Sequence, residues 1–206
     1  MNKTWKTILC ALLAALLCTG LFACAKTPAE KESDSASDGG SQSESREEVP
    51  VPKSAVALLE GVWANYTEAQ KFAAVGGDAE HITEDAPGAF SIEDTDALDQ
   101  TLGLPQSAVS YIDDAASLVH MLNANTFTCG VYHLKNADDS VAVAKEISEN
   151  LATRQWMCGF PEKLVQILCA DYLVSFFGDG ETCDIFRATL EKTYPDAALL
   201  SETPIE

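Results

Sequence analysis

The sequence predicts an α+β domain in which an antiparallel sheet of about four to five strands carries helices packed on one face. Two near-continuous apolar runs, Leu164–Cys169 and Tyr172–Phe177, flank Ala170-Asp171 and indicate a β-hairpin. Apolar residues spaced three to four apart, before and after this hairpin, indicate amphipathic helices. Strict alternation of strands and helices is absent, which disfavours a doubly wound parallel sheet.

The first half of the domain is predicted to begin with a helix over Ser54–Val75, which Gly76-Gly77 ends. A short helix over Thr95–Leu102 follows an acidic loop, and the glycine after it suits a left-handed helix cap. Val109–Ile112 is predicted to be a short strand, with a turn at Asp113-Asp114.

The second half is predicted to hold a strand over Thr126–Leu134, rich in residues of high β propensity. A helix begins at Asp138 or Asp139. Its predicted buried stripe consists of Val141, Ala144, Ile147 and Leu151. A last helix runs over Glu181–Thr193, Pro195 stops it, and the remaining residues are expected to be frayed.

Residues 1–23 are predicted to be a lipoprotein signal peptide. Lys3 and Lys6 precede the apolar run Ile8–Leu17, which is shorter than the roughly 20 residues a bilayer span needs. Leu21-Phe22-Ala23-Cys24 resembles a lipobox, so cleavage before Cys24 and lipid attachment to that cysteine are expected. The predicted location is the cell membrane, anchored by lipid on the extracytoplasmic face. Ordinary secretion, with cleavage near the same point, is the alternative.

Residues 24–53 are predicted to be a disordered tether between the lipidated cysteine and a single domain over residues 54–206. The segment consists mainly of Ser, Glu, Asp, Gly and Pro and holds no aromatic residue. Such a composition buries too little apolar surface to offset chain entropy. At coil statistics its root-mean-square reach is roughly 30 Å.

The charge of the chain argues against two classes of partner. Without the predicted signal peptide, 11 basic residues face 32 acidic ones, a net charge of −21. Nucleic acid binding needs Lys and Arg at the phosphates, so no nucleic acid partner is expected. Docking on anionic lipid head groups is disfavoured for the same reason.

Seven cysteines fall into three groups. Cys10 and Cys18 belong to the predicted signal peptide, and Cys24 takes the lipid. The domain retains Cys129, Cys158, Cys169 and Cys183. No C-x-x-C pair exists, so a thioredoxin-type site and a zinc ribbon are poorly supported. The compartment permits disulfides, but buried free thiols fit equally well, and sequence leaves the two open.

The loop from Trp156 to Pro161 is the best candidate site, because two aromatic residues, a Met and a thiol cluster between a helix and a strand. Trp156, Cys158 and Phe160 are therefore candidate ligand-binding residues. The competing interpretation is that the two aromatic rings fill the gap where helix meets sheet.

Other candidates are weaker, and no catalytic residue, metal site or cofactor is predicted. Asp94, Asp96 and Asp99 lack the spacing of a calcium-binding loop and are predicted to lie in a solvated, charged loop. His120 and His133 form no recognised metal motif and are predicted to be ordinary histidines on the sheet surface. The competing interpretation is a metal or acid–base pair across neighbouring strands. A nucleophilic pair of Cys158 and His133 is disfavoured, because the acidic domain raises a thiol pKa.

Three segments carry a resemblance to a known family. They are Asn123–Thr128, Trp156–Leu164, and Asp171–Val174 leading to Phe177-Gly178. Together with the lipobox and the polar tether, they resemble the domain-of-unknown-function 4358 family, uncharacterised lipoprotein-like proteins of Gram-positive bacteria. The resemblance implies an envelope protein with a single α+β domain, and it implies no activity.

The expected function is therefore a membrane-anchored, non-catalytic binding or accessory module at the cell surface, with a protein or a small molecule as its ligand. Two alternatives stay open. One is an envelope thiol-dependent enzyme or redox protein that uses Cys158. The other is an accessory lipoprotein of an envelope transporter.

Overall fold

A computed structural model describes residues 51–157 and 159–205. The predicted signal peptide, Cys24, most of the predicted tether and Cys158 lie outside these described residues. The described chain is α+β with an antiparallel sheet, as predicted. The sheet has eight strands rather than four to five, and helices pack on both of its faces rather than on one.

The sheet is assembled from short strands at one edge and long strands elsewhere. In chain order the elements are helix α1 (Ala55–Ala64), strands β1 (Ala74–Gly76), β2 (Thr83–Glu84) and β3 (Gly88–Ala89), helix α2 (Thr95–Ala97) with a π-helical turn (Leu98–Leu102), a 3-10 helix (Gln106–Tyr111), strands β4 (Ile112–His120) and β5 (Phe127–Leu134), helix α3 (Ser140–Ala152), strands β6 (Lys163–Cys169) and β7 (Tyr172–Gly178), helix α4 (Gly180–Thr193) and strand β8 (Ala198–Pro204). The strand order is β2-β1-β4-β5-β7-β6-β8, and β3 pairs with β4.

Successive side chains along each strand point to opposite faces of the sheet, so each face contributes to its own hydrophobic core. In β5, Val131 faces the first core and Tyr132 the second, and both are fully buried. Helices α1 and α4 cover the first core, whereas α3 and the π-helical turn cover the second. The covering side chains are Leu58, Leu59, Val62, Phe186 and Leu190 on the first face, and Leu98, Leu102, Val143, Ile147 and Leu151 on the second.

The first helix ends at Ala64, eleven residues before the predicted end. The apolar spacing that suggested a longer helix belongs to an aromatic cluster. The Trp63 ring lies 5.0 Å from Tyr66 and 5.2 Å from Phe72, measured between centroids. The chain then continues into β1, so Val75 lies in a strand.

The predicted strand at Val109–Ile112 is also wrong, because a 3-10 helix precedes β4 there. The predicted turn at Asp113-Asp114 lies inside β4, beside a register shift between Ile112 and Asp114. This irregular part of β4 also contacts the first helix. The Asp114 Oδ2 atom accepts a hydrogen bond of 2.8 Å from the backbone N–H of Ala55, at the start of α1.

The chain after α4 is a strand rather than a frayed end. Strand β8 pairs with β6 from Leu168↔Ala198 to Lys163↔Pro204. In α3, Val141 is 66% exposed and Val143 takes its predicted place in the core. The predicted short helix, the strand β5, the β6–β7 hairpin and the last helix are confirmed within one or two residues.

Candidate functional site

Two connections lie side by side at one end of the sheet. The turn of residues 121–126 joins β4 to β5, and the loop of residues 153–162 joins α3 to β6. Register brings them together, because Phe127 at the start of β5 pairs with Gly178, which pairs with Lys163 at the start of β6. We call this the distal end, because residue 51 enters the fold at the opposite end.

A single amide side chain ties the two connections together. The Asn125 Nδ2 atom donates to the carbonyl oxygens of Met157, at 2.8 Å, and of Gly159, at 2.9 Å. Gly159 has a φ of +119°, a conformation that disfavours any side chain. The backbone on either side of position 158 is therefore held against the β4–β5 turn.

Large apolar side chains project from both connections. Leu122 is 80% exposed, Met157 78%, Phe160 71% and Met121 52%. These four residues are called the apolar end surface below. They make up half of the large hydrophobic residues that are exposed in the described part of the chain. An ordered, exposed cluster of this kind marks a binding surface more often than an isolated exposed residue does.

Trp156 plays a different part from Phe160, although the sequence grouped them. Its half-buried ring lies 5.4 Å from the Phe177 ring, and the Arg154 guanidinium lies 5.3 Å from its centroid. Arg154 also donates a hydrogen bond of 2.6 Å to the Asp99 carbonyl. Trp156 therefore packs against the second core, whereas Phe160 faces solvent. Burial lowers the pKa of Arg154, and the nearby Asp99 carboxylate opposes that shift.

Met121 and Leu122 complete the surface, and sequence reasoning missed them. They follow β4 directly and precede the amide-rich turn Asn123-Ala124-Asn125. Two large apolar residues beside a turn were the available signal. Their relation to Phe160 depends on strand pairing and on the Asn125 contact, which a sequence pattern does not contain.

The two candidate histidines lie near opposite ends of neighbouring strands. The His120 ring stacks on Phe72 at 5.3 Å, next to the distal end. His133 contacts Asp113 and the Tyr172 ring, six positions along β5 from Phe127. Six strand residues span about 20 Å. The two histidines therefore lie on neighbouring strands, but too far apart for the competing interpretation of a shared metal or an acid–base pair.

The same distance bears on the thiol hypothesis. Cys158 itself lies outside the described residues, but both of its neighbours are bonded to Asn125 at the distal end. His133 lies at the other end of β5, where it pairs with Tyr172. No observation favours the proposed nucleophilic pair of Cys158 and His133.

The acidic candidates have separate structural partners. The Asp94 side chain caps α2 by accepting a hydrogen bond of 2.9 Å from the Ala97 N–H. The Asp99 Oδ1 atom accepts one of 2.7 Å from the Asn150 amide of α3. Within residues 51–157 and 159–205, no cluster of three or more His, Cys, Asp or Glu residues is arranged to hold a metal ion.

Three domain cysteines, Cys129, Cys169 and Cys183, are free thiols that lie buried in the first core. Burial raises the pKa of Cys169 to about 11 and that of Cys183 to about 12. It raises the pKa of Cys129 well above the usual range. At neutral pH these thiols are therefore protonated core residues rather than nucleophiles.

No protein-family model, curated protein or solved structure matches the chain. The resemblance to the domain-of-unknown-function 4358 family therefore stays a prediction. None of the helices in the described ranges combines the length and apolar composition needed to cross a bilayer.

Proposed function

We propose that the protein is a membrane-anchored extracytoplasmic lipoprotein whose domain is a non-catalytic binding or accessory module. The lipobox at Cys24 supports the anchor, and the apolar end surface supports the binding role. The surface is the single structural observation that carries the proposal. Its side chains stand on two loops that Asn125 ties together, so the loops are held in place without a partner.

The energetic reason is the cost of leaving these side chains in water. Full burial of one Leu, Met or Phe side chain is worth roughly 1.5–3 kcal/mol. Four such residues, each more than half exposed, therefore represent several kcal/mol that a partner recovers by covering them. Because the loops are already ordered, little conformational entropy opposes that binding.

Metabolic labelling with a palmitate analogue tests the anchor in cells that make the full chain. We expect the wild type to incorporate label and to fractionate with membranes. Cys24→Ser should lose both properties, since the lipid is expected on the cysteine that directly follows the predicted cleavage site. Cys18→Ser is the matched control, because it changes a cysteine inside the signal peptide and should retain both. Label on the Cys24→Ser variant would contradict the proposal.

Chemical crosslinking of the full chain in the same cells tests the binding role. We expect a discrete adduct whose yield saturates as expression rises, because a specific partner is limited in number. An adduct that increases in proportion to expression, or no adduct at all, would contradict a binding module.

A further inference from the structure

We infer that the apolar end surface docks into an apolar recess of a protein partner, and that Lys and Arg residues border this recess. The inference rests on the proposed binding function and adds the class of partner and the face that it meets. It follows from the position of the surface, its local charge and the charge of the whole domain.

The surface faces away from the point where the anchor joins the domain. Val51 and Pro52 lie beside Leu168, Ala170 and Ala198, at the end of the sheet that holds the β6–β7 turn. The apolar end surface lies beyond the opposite ends of the same strands, about 20 Å further along β6. The predicted tether therefore does not join the domain at this surface, and a disordered tether leaves the domain free to turn the surface toward a partner.

The surface itself is nearly free of charge. Residues 121–126 and 153–160 include a single charged side chain, Arg154, and no carboxylate. The Arg154 guanidinium already donates a hydrogen bond to the Asp99 carbonyl and lies over the Trp156 ring. The part of a partner that covers this surface must therefore be apolar, because an unpaired charge buried there would lose its hydration.

Acidic residues border the surface. Exposed Glu162 and Glu181 stand at the same end, where the Glu162 Oε2 atom accepts a hydrogen bond of 3.0 Å from the Gly180 N–H. From residue 54 onward the domain carries 25 acidic and seven basic residues. Complementary potentials at an interface then require a basic rim on the partner.

The same charge argues against two other occupants. An anionic bilayer surface repels a domain with a net charge of −18, counting residues 54–206. A second copy brings the same charge and the same acidic border, so self-association opposes like charges. A protein with an apolar recess and a basic border can cover the apolar side chains and place positive charge next to the surrounding carboxylates.

Four side chains are fewer than the 20 to 30 residues that each side of a standard interface contributes. They fit the role of a central cluster that carries most of the binding energy, surrounded by a polar rim. Phe160 and Leu122 are then the residues whose truncation should weaken docking most, by about tenfold or more.

Site-specific photocrosslinking in cells tests this inference on the full chain. Benzoylphenylalanine replaces Leu122 in one variant and Val141 in the other. Both residues are large, apolar and exposed, but Val141 lies on α3 outside the apolar end surface. We expect the Leu122 variant to crosslink one protein, at a site where apolar residues are flanked by Lys or Arg. The Val141 variant should yield less than a tenth of that adduct.

Second substitutions then test the two halves of the inference. Phe160→Ser should lower the Leu122 adduct about tenfold, whereas Val141→Ser should change it less than twofold. The double variant Glu162→Lys and Glu181→Lys should lower the adduct severalfold, because it reverses the charge of the border. Thermal unfolding shows that each variant is folded. The Phe160 and Val141 variants should match the wild type, because both positions are exposed. The double variant should keep a cooperative transition at a somewhat lower temperature, because it removes the Glu162 bond to the Gly180 N–H and places positive charge at the start of α4.

Adducts at Leu122 that contain only lipid, or only a second copy of the chain, would overturn the inference. So would equal yields from the Leu122 and Val141 variants, or an adduct that the charge reversal leaves unchanged. A lipidated protein with a saturable partner captured only at other positions would keep the proposed function and remove this inference. A Leu122 adduct with a basic protein, in a chain that takes no lipid, would remove the anchor alone.

Discussion

A glycine inside β5 lets a tyrosine ring lie against the sheet. A Cβ atom on Gly130 would stand 2.3 Å from the Tyr132 hydroxyl oxygen, two residues along the same strand. The Tyr132 hydroxyl donates a hydrogen bond of 3.2 Å to the Leu102 carbonyl, and its ring is fully buried. The pair therefore links the sheet to the π-helical turn across the second core.

This contact predicts a specific loss of stability. Gly130→Ala should lower the free energy of unfolding by about 1–3 kcal/mol, the usual cost of an overpacked core. Combined with Tyr132→Leu, the same change should cost clearly less, because the shorter side chain leaves room for the methyl group. Urea unfolding of the two single variants and the double variant measures this coupling. Strictly additive effects would contradict the contact.

Asp78 holds the segment between β1 and β3 through both carboxylate oxygens. One oxygen accepts backbone hydrogen bonds from Glu80 and His81, each 2.9 Å long, and the other accepts one of 2.7 Å from Ser91. Burial alone would raise the pKa of the Asp78 carboxyl. The hydrogen bonds from Ser91, His81 and Glu80 outweigh it and hold the pKa below its ordinary value.

The direction of that pKa shift fixes a dependence on pH. A carboxyl whose pKa is lower in the folded state adds stability above its unfolded pKa of about 3.9. That stability is lost as the pH falls through the folded value. Asp78→Asn should therefore lower the free energy of unfolding by about 1–3 kcal/mol at pH 7. The amide NH2 would face backbone N–H groups and cannot accept their hydrogen bonds. The cost should shrink below about pH 4.

Urea midpoints between pH 2.5 and pH 7 check the Asp78 prediction. Glu80→Gln is the matched control, because it removes a neighbouring negative charge from an exposed side chain. It should change the midpoint little at any pH. A constant difference between wild type and Asp78→Asn across this range would contradict the pKa argument.

At the scale of elements, the pattern of the sequence located the long central strands. β6 and β7 are near-continuous apolar runs because both faces of the sheet are covered. A strand that is apolar on both faces implies that both faces of the sheet are covered. The prediction of helices on one face overlooked this. The two-residue strands β2 and β3 are too short to show any alternation.

Strand β8 was missed for a related reason. Its sequence Ala-Leu-Leu-Ser-Glu-Thr-Pro contains polar and apolar residues without a strand period, and none of them is fully buried. An edge strand is defined by its neighbour more than by its own composition. In the candidate site, similarly, the loop composition pointed to Phe160, but the contribution of Met121 and Leu122 depended on tertiary contacts.

Strand β8 protects the edge of β6, and its removal should be costly. The Lys163 ammonium of β6 contacts Asp184 of α4 and donates a hydrogen bond of 2.8 Å to Glu202 of β8. Leu200 and Ile205 also pack against the second core. Deleting residues 198–206 should therefore cost at least the roughly 2–5 kcal/mol of one lost core side chain.

The deleted protein should also associate, because β6 becomes an exposed edge with unpaired backbone groups. Unfolding curves and light scattering measure the two effects. Deletion of Glu206 alone is the control, since it leaves the β6–β8 pairing intact, and it should behave like the wild type. A monomeric, fully stable 198–206 deletion would show that β8 contributes nothing to the edge.

At the scale of the whole molecule, excess negative charge opposes the compact state. The domain gathers 25 acidic residues against seven basic ones, and Lys163 and Arg187 are already shared among acidic neighbours. Among the described residues Asp78 is the only buried carboxylate, so most of this charge lies at the surface, where salt screens it. The Debye length falls from about 30 Å at 0.01 M salt to about 8 Å at 0.15 M.

Salt should therefore stabilise the protein, although it weakens the individual ion pairs. Between 0.01 M and 0.15 M sodium chloride, the melting temperature should rise by roughly 2–4 °C for each kcal/mol of repulsion removed. Most of the rise should occur in this range, because screening beyond it adds little. Replacing three exposed acidic residues that make no ion pair among the described residues, Glu60, Glu84 and Glu93, with Gln should reduce the salt-dependent rise. A melting temperature that is flat or falls with salt would show that ion pairs, rather than net repulsion, dominate the electrostatics of this domain.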